Sequence, residues 1–284
     1  MPDESKPPET DDQEHGSLGA LLQKIYTERG YDFREYKKAS VQRRVNKRLF
    51  ENHLSTYLQY AELLDKDPEE YTSLFDTLLI NVSEFFRDPE AWDIMANEII
   101  PKIMEKKSKG DAIRIWSAGC AVGEEPYSMA ILLADKLGDS VKDYEIRIYA
   151  TDIDEKALNE ARRGIFPQER LKNVKKAYLD KYFAKEDGLY RVHRNIRQMV
   201  AFGRQDMVSD PPISHLDLII CRNVLIYFKA ELQNRITIKF HYALNKNGFI
   251  FFGKSESLLV GSKRFLPINK KWRIFERISA KDLL

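Results

Sequence analysis

The sequence is poor in cysteine, with two in 284 residues, Cys120 and Cys221. They stand far apart and in neither a CxxC pattern nor a metal-ligand spacing, which excludes a disulfide framework and a structural zinc site and leaves two reduced thiols acting as small apolar residues. Histidine is scarce too. The five present, His15, His53, His193, His215 and His241, show no ligand spacing, so no metal is expected. No apolar run approaches the ~20 residues needed to span a bilayer. Met1 to Ser17 is acidic and proline-rich, without the apolar core of a signal peptide, so no membrane insertion is expected and the cytoplasm is the default compartment. Charge of one sign is also lacking overall. Lys and Arg number 46 against 44 Asp and Glu, a net +2 that says little until its distribution is read.

What is present is enough apolar sequence for a sizeable core, 43 % hydrophobic in a chain longer than one average domain. Residues 1–16 carry almost nothing to bury and are expected to form a disordered acidic tail. From Leu18 the apolar residues recur at helical spacing: Leu18, Leu21, Leu22 and Ile25, then Val41, Val45 and Leu49, then Tyr57, Leu58, Ala61 and Leu64, then Tyr71, Leu74, Phe75, Leu78 and Leu79. Pro68 and Pro89 suit first turns of helices. An all-helical unit over 17–88 is therefore expected, followed by a second domain over 89–284.

After Gly110 the period changes. AIRIWSAG (112–119), YEIRIYATD (144–152) and LDLIICRN (216–223) are short runs rich in β-branched and aromatic residues, separated by amphipathic helical patterns at Tyr127 to Leu137, Glu155 to Arg162 and Glu231 to Leu244. This alternation predicts an α/β domain with a mostly parallel, doubly covered sheet. Gly188 to Phe202 predicts a small β hairpin inserted between the second and third parallel strands, within 168–204. GFIFFG (248–253) and WRIFERI (272–278) have no helix-length pattern between them, so one is expected to run antiparallel.

In such sheets ligands bind beyond the carboxyl ends of the strands. The first strand ends in SAGCAVGEE (117–125), where small residues let backbone approach a ligand at Gly119 and two acids, Glu124 and Glu125, head the next helix. The alternative reading is a tight turn with acids favouring a helix N-terminus. The second strand ends in Asp152, placed to meet a ribose diol. Two carboxylates where a pyrophosphate would sit argue against a dinucleotide and for a nucleoside without phosphate, of which S-adenosylmethionine is the obvious example. CRNVLIYF (221–228) adds Arg222, Asn223 and Tyr227, and NVSEFFRDPEAW (81–92) adds Asn81, Ser83 and Arg87, the last with a helix-boundary ion pair as its structural alternative.

NVSEFFRD, WSAGCAVGEEPYS, ATDIDEKALNEARRGIF and CRNVLIYF, in this order and spacing, resemble the CheR family of chemoreceptor glutamate methyltransferases over about Leu18 to Ile278. The resemblance implies a class I S-adenosylmethionine-dependent methyltransferase, a Rossmann-like doubly wound sheet with an all-helical N-terminal domain and a small inserted antiparallel β subdomain. It implies a cofactor site lined by Asn81, Ser83, Arg87, Gly119, Glu124, Glu125, Asp152, Arg222 and Asn223, with Asp206 and Met207 near the adenine. Arg87 and Tyr227 would face the reacting methyl group, which passes to glutamate side chains and leaves S-adenosylhomocysteine. The implied partners are the cytoplasmic methylation helices of chemoreceptors, in chemotactic adaptation. Those segments are acidic, and seven bases against one acid between Arg34 and Arg48 form a complementary face on which Arg43, Arg44, Lys47 and Arg48 are candidate recognition residues; a merely solvated helix face is the alternative. The short turn in AKEDGLYRV (184–192) points to independence from the receptor pentapeptide used by some family members, and a monomer is expected. A nucleic-acid methyltransferase is the rival that SDPPI (209–213) brings to mind. Ile213 stands where an aromatic would stack on a flipped base, and the motif precedes its strand, so no nucleic-acid partner is expected.

Overall fold

The computed structural model describes residues 16–79, 81–256 and 264–278; the expected acidic tail lies almost wholly outside the described residues. The chain divides into two compact units, with Asn81 opening the second and the short segment Tyr227–Leu232 grouped with the first.

The helical unit contains α1 (Leu18–Arg29), α2 (Lys38–Glu51), α3 (Tyr57–Lys66) and α4 (Pro68–Leu78). Local chemistry sets their ends. The Ser17 hydroxyl accepts the Ala20 N–H at the start of α1, and Gly30, at φ 75°, closes it. Thr56 and Gln59 form a reciprocal capping box on α3, and Pro68 occupies the first turn of α4. Ile25, Phe33, Val45, Tyr60 and Leu74 pack inside with almost no exposure. Tyr36 and Phe228 form an antiparallel bridge, their rings edge-on at 4.8 Å, which is how Tyr227–Leu232 comes to belong here.

The α/β unit holds a seven-stranded sheet. In chain order the strands are β1 (Ala112–Ala118), β2 (Glu145–Asp152), β3 (Ile165–Pro167), β4 (Phe183–Glu186), β5 (Leu189–Val192), β6 (Val200–Arg204), β7 (Leu216–Cys221), β8 (Leu244–Phe252), β9 (Phe265–Asn269) and β10 (Ile274–Arg277). The large sheet runs β6-β2-β1-β7-β8-β10-β9, and β3-β5-β4 form a separate antiparallel sheet. From β6 to β8 all pairings are parallel, while β10 pairs antiparallel with both β8 and β9. The remaining helices are α5 (Pro89–Ile94), α6 (Ile100–Met104), α7 (Glu124–Leu137), α8 (Glu155–Arg163), α9 (Lys176–Tyr182), α10 (Arg194–Arg197) and α11 (Ala230–Ala243). β7 is buried at every residue, as a strand covered on both faces must be.

Two expectations need correcting. The predicted hairpin over 188–202 is half right: Leu189–Val192 pairs with Phe183–Glu186 around an Asp187-Gly188 turn, but Val200–Arg204 lies parallel to β2 as the edge of the large sheet. Both segments are short and apolar, so periodicity could not say which sheet each would join. The domain boundary falls before Asn81, not after Asp88. Phe85 and Phe86 are buried in the α/β core, Phe85 edge-on to Phe166 at 4.8 Å, and the Phe86 N–H donates to Ser128 Oγ at 2.9 Å.

Candidate active site

The strand order reverses between β1 and β7, so the crevice of this sheet opens beyond their carboxyl ends. There β1 runs into a turn in which Gly119, Ala121 and Gly123 have φ of 76°, 49° and 94°. The two glycines serve packing: a Cβ on Gly119 would lie 2.5 Å from Val224, and one on Gly123 would lie 2.9 Å from Ala161 of α8. Ala121 tolerates its left-handed backbone because its N–H donates to Asp152 Oδ2 at 2.8 Å. The turn is thus a cradle laced between the ends of β2 and β7.

The paired glutamates divide their work. Glu124 has no exposure, and both its oxygens are taken, one by the Ser83 hydroxyl and the other by Arg170 at 2.6 Å. Glu124 and Ser83 therefore knit residue 83 to the head of α7, whereas the expectation had placed both against the cofactor. Asn81 does similar work, its amide donating to Asp154 Oδ2 at 2.5 Å. Glu125 keeps an oxygen for the crevice: Ser117 donates to its Oε1 at 2.8 Å, and among the described residues no hydrogen-bond donor reaches the other. Burial raises the Glu125 pKa against the opposing pull of Arg222, Ser117 and Arg87. Asp152 is raised by burial too, opposed by backbone N–H groups of Asp154 and Ala121.

Arg222, at the end of β7, is buried, stacks on the Phe251 ring at 4.6 Å, donates to the Arg87 carbonyl at 2.9 Å and pairs with Asp88. The helix-boundary ion pair considered for Arg87 is thus made by Arg222. Arg87 itself is half-buried, with only a long 3.5 Å contact to the Val82 carbonyl and no acid paired to it among the described residues. Asn223 sits at φ 60° with its Oδ1 buried and unpartnered.

Beside Asn223 stands Glu256, which sequence reasoning missed. It is 4 % exposed, its Oε1 accepts the Val224 N–H at 3.0 Å, and its Oε2 is buried without a partner. Burial pushes its pKa up to about 7. Gly253 makes room for it, since a Cβ there would lie 2.4 Å from Glu256 Oε2 and 2.8 Å from the Asn223 nitrogen. Asp88 and Arg170 were also missed. For the two acids the available signal was a carboxylate within a few residues of a strand end or of a motif arginine, which is too common to single out, and Arg170 carried no local signal.

The other candidates scatter. Asp206, just past β6, is buried and caps its own turn, its Oδ1 accepting the Val208 N–H at 2.8 Å; Met207 beside it is half-buried. Tyr227 belongs by its contacts to the helical unit, its ring 5.3 Å from the Arg44 guanidinium and its carbonyl accepting the Lys37 N–H. Of the four basic recognition candidates, Arg43 and Lys47 are exposed. Arg44 donates to the Leu78 carbonyl at 3.0 Å and is lowered in pKa by burial. Arg48 is bound bidentately to buried Glu70 at 2.9 and 2.5 Å, so it is a structural residue.

The crevice is rich in acceptors: a free oxygen on Glu125, the orphaned Asn223 Oδ1 and Glu256 Oε2, and the Asp152 carboxylate. Such a lining fits a cationic ligand that brings its own hydroxyl and amine donors, and it repels phosphate. S-adenosylmethionine, with its sulfonium, ammonium, ribose and adenine donors, meets that description.

Residues 81–274 match the CheR methyltransferase, SAM binding domain, and residues 17–79 match the CheR methyltransferase, all-alpha domain. The chain belongs to the CheR methyltransferase family. Its fold is the class I methyltransferase fold, and its cofactor is S-adenosylmethionine. This CheR-family chain is 34 % identical over 248 residues to a chemotaxis protein methyltransferase of Borreliella burgdorferi, spanning 85 % of this chain and 88 % of that one. It is 32 % identical over 257 residues to the chemotaxis protein methyltransferase of Escherichia coli, spanning 86 % and 85 %. An uncharacterized 104.1 kDa protein of Rhodobacter capsulatus is 33 % identical over 262 residues, and there the CheR-like region is 28 % of a much longer chain.

Proposed function

We propose that this CheR-family enzyme transfers the methyl group of S-adenosylmethionine to glutamate carboxylates on the cytoplasmic methylation helices of chemoreceptors, giving γ-glutamyl methyl esters and S-adenosylhomocysteine in chemotactic adaptation. The observation that carries this reading is Arg87: a half-buried guanidinium without a carboxylate partner among the described residues, its backbone held by Arg222 and Trp92. Relatives named chemotaxis protein methyltransferases support it.

The chemistry asks little of acid or base. An acceptor glutamate with a pKa near ~4.3 is already ionised at neutral pH. When bound, S-adenosylmethionine supplies an electrophilic methyl group and a neutral thioether leaving group. The protein supplies alignment and a dry site. Arg87 orients the acceptor carboxylate with charge-assisted hydrogen bonds, and the Tyr227 hydroxyl adds a donor. Pairing the carboxylate too tightly would stabilise the ground state, so both residues position the acceptor without activating it. Glu125, Asp152, Asn223 and Arg222 hold the cofactor, with Asn81, Ser83, Gly119 and Glu124 shaping its cradle, and Asp206 and Met207 close it beside the adenine.

Arg43 and Lys47 of α2 steer and register the acidic receptor helix, and the exposed Phe50 one turn on gives that face an apolar contact. The two-residue Asp187-Gly188 turn, both residues at positive φ, supports independence from a pentapeptide tether, because it leaves no extended loop beside β5. Among the described residues no helix is long and apolar enough to cross a membrane; we place the enzyme in the cytoplasm, where receptor methylation helices lie, as a monomer.

The deciding experiment transfers labelled methyl from S-adenosylmethionine to a purified receptor cytoplasmic fragment and then applies mild base. Volatile labelled methanol is expected. Base-stable label would assign N-methylation and overturn the carboxylate reading.

A further inference from the structure

From Leu189 to Gln205 the chain carries four arginines and no acid. Two of them, Arg194 and Arg197 of α10, join Arg162 of α8 around a cavity of about 360 Å³ whose other walls are Tyr127, Gln198, Val200 and Phe202. Among the described residues no carboxylate lines it. Arg162 is braced by Glu155 at 2.6 Å and Asn159 at 2.8 Å. The stem of Arg197 lies over Gly164, where a Cβ would come within 2.8 Å of its Cδ, and its Nε is buried without a hydrogen-bond partner. Among the described residues neither Arg194 nor Arg197 has an acid within ion-pair distance.

Guanidinium groups donate and never accept; with Arg162 already paired to Glu155, the positive potential of the concavity comes from Arg194 and Arg197, which an anion between them would satisfy. Their planar forks match phosphate oxygens bidentately. The remaining wall is apolar, with Val200 and the half-buried Phe202 ring. We propose that this cavity binds a phosphorylated small molecule, its phosphate held by Arg162, Arg194 and Arg197 and its less polar part resting on Phe202 and Val200.

The position of the cavity gives the ligand a lever. A Cβ on Gly123 would lie 3.3 Å from the Phe202 ring, so the side chain that floors the cavity also packs on the cradle turn that follows β1. A ligand that fixes Phe202 biases the same turn that the cofactor requires, and by linkage the cofactor changes the ligand's affinity by the same factor. The coupling, unlike the binding, rests on the cradle being the cofactor site.

The test is calorimetric titration of the full chain, loaded with S-adenosylhomocysteine so that no probe reports on the cofactor crevice, with sodium pyrophosphate and separately with ADP. Saturable one-to-one binding is expected, weakened at least tenfold by Arg194→Gln with Arg197→Gln, at unchanged S-adenosylhomocysteine affinity. Equal affinities for the two probes would identify the phosphate alone as the recognised group, and a tighter ADP would seat the ring on Phe202. Repeating the pyrophosphate titration without S-adenosylhomocysteine is expected to shift its affinity at least threefold; no shift would remove the coupling. Arg194 is exposed, so Arg194→Glu keeps the fold should the double variant fail to, and it is expected to abolish binding. Absence of saturable binding at millimolar probe, or binding indifferent to these substitutions, overturns the proposal.

Discussion

Replacing Arg48 by alanine should unfold the helical unit more readily while touching nothing that a receptor helix would meet. Its guanidinium spans both oxygens of Glu70, Tyr60 donates to Glu70 Oε1 at 2.5 Å, and Arg48 also pairs with Glu51. The side chains of Arg48 and Glu70 are 16 % and 5 % exposed. Breaking a buried pair by removing one partner costs about 3–5 kcal/mol, because the other charge stays buried. The partial exposure of Arg48 brings this to about 2–4 kcal/mol, against about 0.5 kcal/mol or less for Arg43→Ala on the exposed face. For a unit of this size that is a fall of at least about 8 °C in its midpoint. Because the chain has two units, the assay is hydrogen exchange at the α2 amides Val41 to Leu49 alongside thermal unfolding. Acid should erase the difference. Burial alone would raise the Glu70 carboxyl, but hydrogen bonds from Arg48 and Tyr60 outweigh it and hold it below its ordinary value near 4.5. A depressed acid contributes stability above its unfolded pKa, so wild type and variant should converge as pH falls below about 4.5. Equal protection of α2 in Arg48→Ala and Arg43→Ala at pH 7 would refute the structural assignment of Arg48.

Arg87→Ala should slow methyl transfer by about 10²- to 10³-fold, the loss of one charge-assisted positioning contact, while S-adenosylhomocysteine affinity measured by calorimetry changes far less; an equal loss of both would make Arg87 a cofactor ligand. Charge reversal at Arg43 and Lys47 together should lower receptor methylation and flatten its salt dependence at unchanged thermal stability, and unchanged kinetics would leave that face merely solvated. Gly119→Ala should destabilise the chain by about 2–4 kcal/mol, combining a left-handed backbone with overlap on Val224; a stable variant in urea titration would contradict the packing. Glu256 has a folded pKa of about 7 against an ordinary 4.5. An acid raised on folding costs stability progressively as pH rises from 4.5 to 7, here by roughly 3 kcal/mol, so Glu256→Gln should be relatively more stable than wild type at pH 8 than at pH 5. Parallel stability curves for the two proteins would exclude that burial.

Element by element, periodicity located the four helices of the first unit and the strands β1, β2, β7, β8 and β10, because each is long enough or apolar enough to carry its own period. Four motifs in order announced the family. What local pattern left undecided is instructive. Val200–Arg204 reads like half of a hairpin, and only its pairing with β2 makes it the sheet edge. Asn81 to Arg87 reads as a linker, and only the burial of Phe85 and Phe86 assigns it to the α/β unit. Glu124 and Arg48 look like members of an acidic pair and a basic face; their partners, Ser83, Arg170 and Glu70, lie 22 to 46 residues away in the chain and turn them inward. Glu256 offered only the common signal of an acid just past a strand end, since its buried position depends on Gly253 and Asn223 meeting at the ends of neighbouring strands. The sequence by itself determined residue chemistry and local periodicity, and hence the class of fold and cofactor. Which charges face solvent and which are spent on each other was decided only by the tertiary structure, because desolvation and pairing depend on contacts between residues remote in the chain.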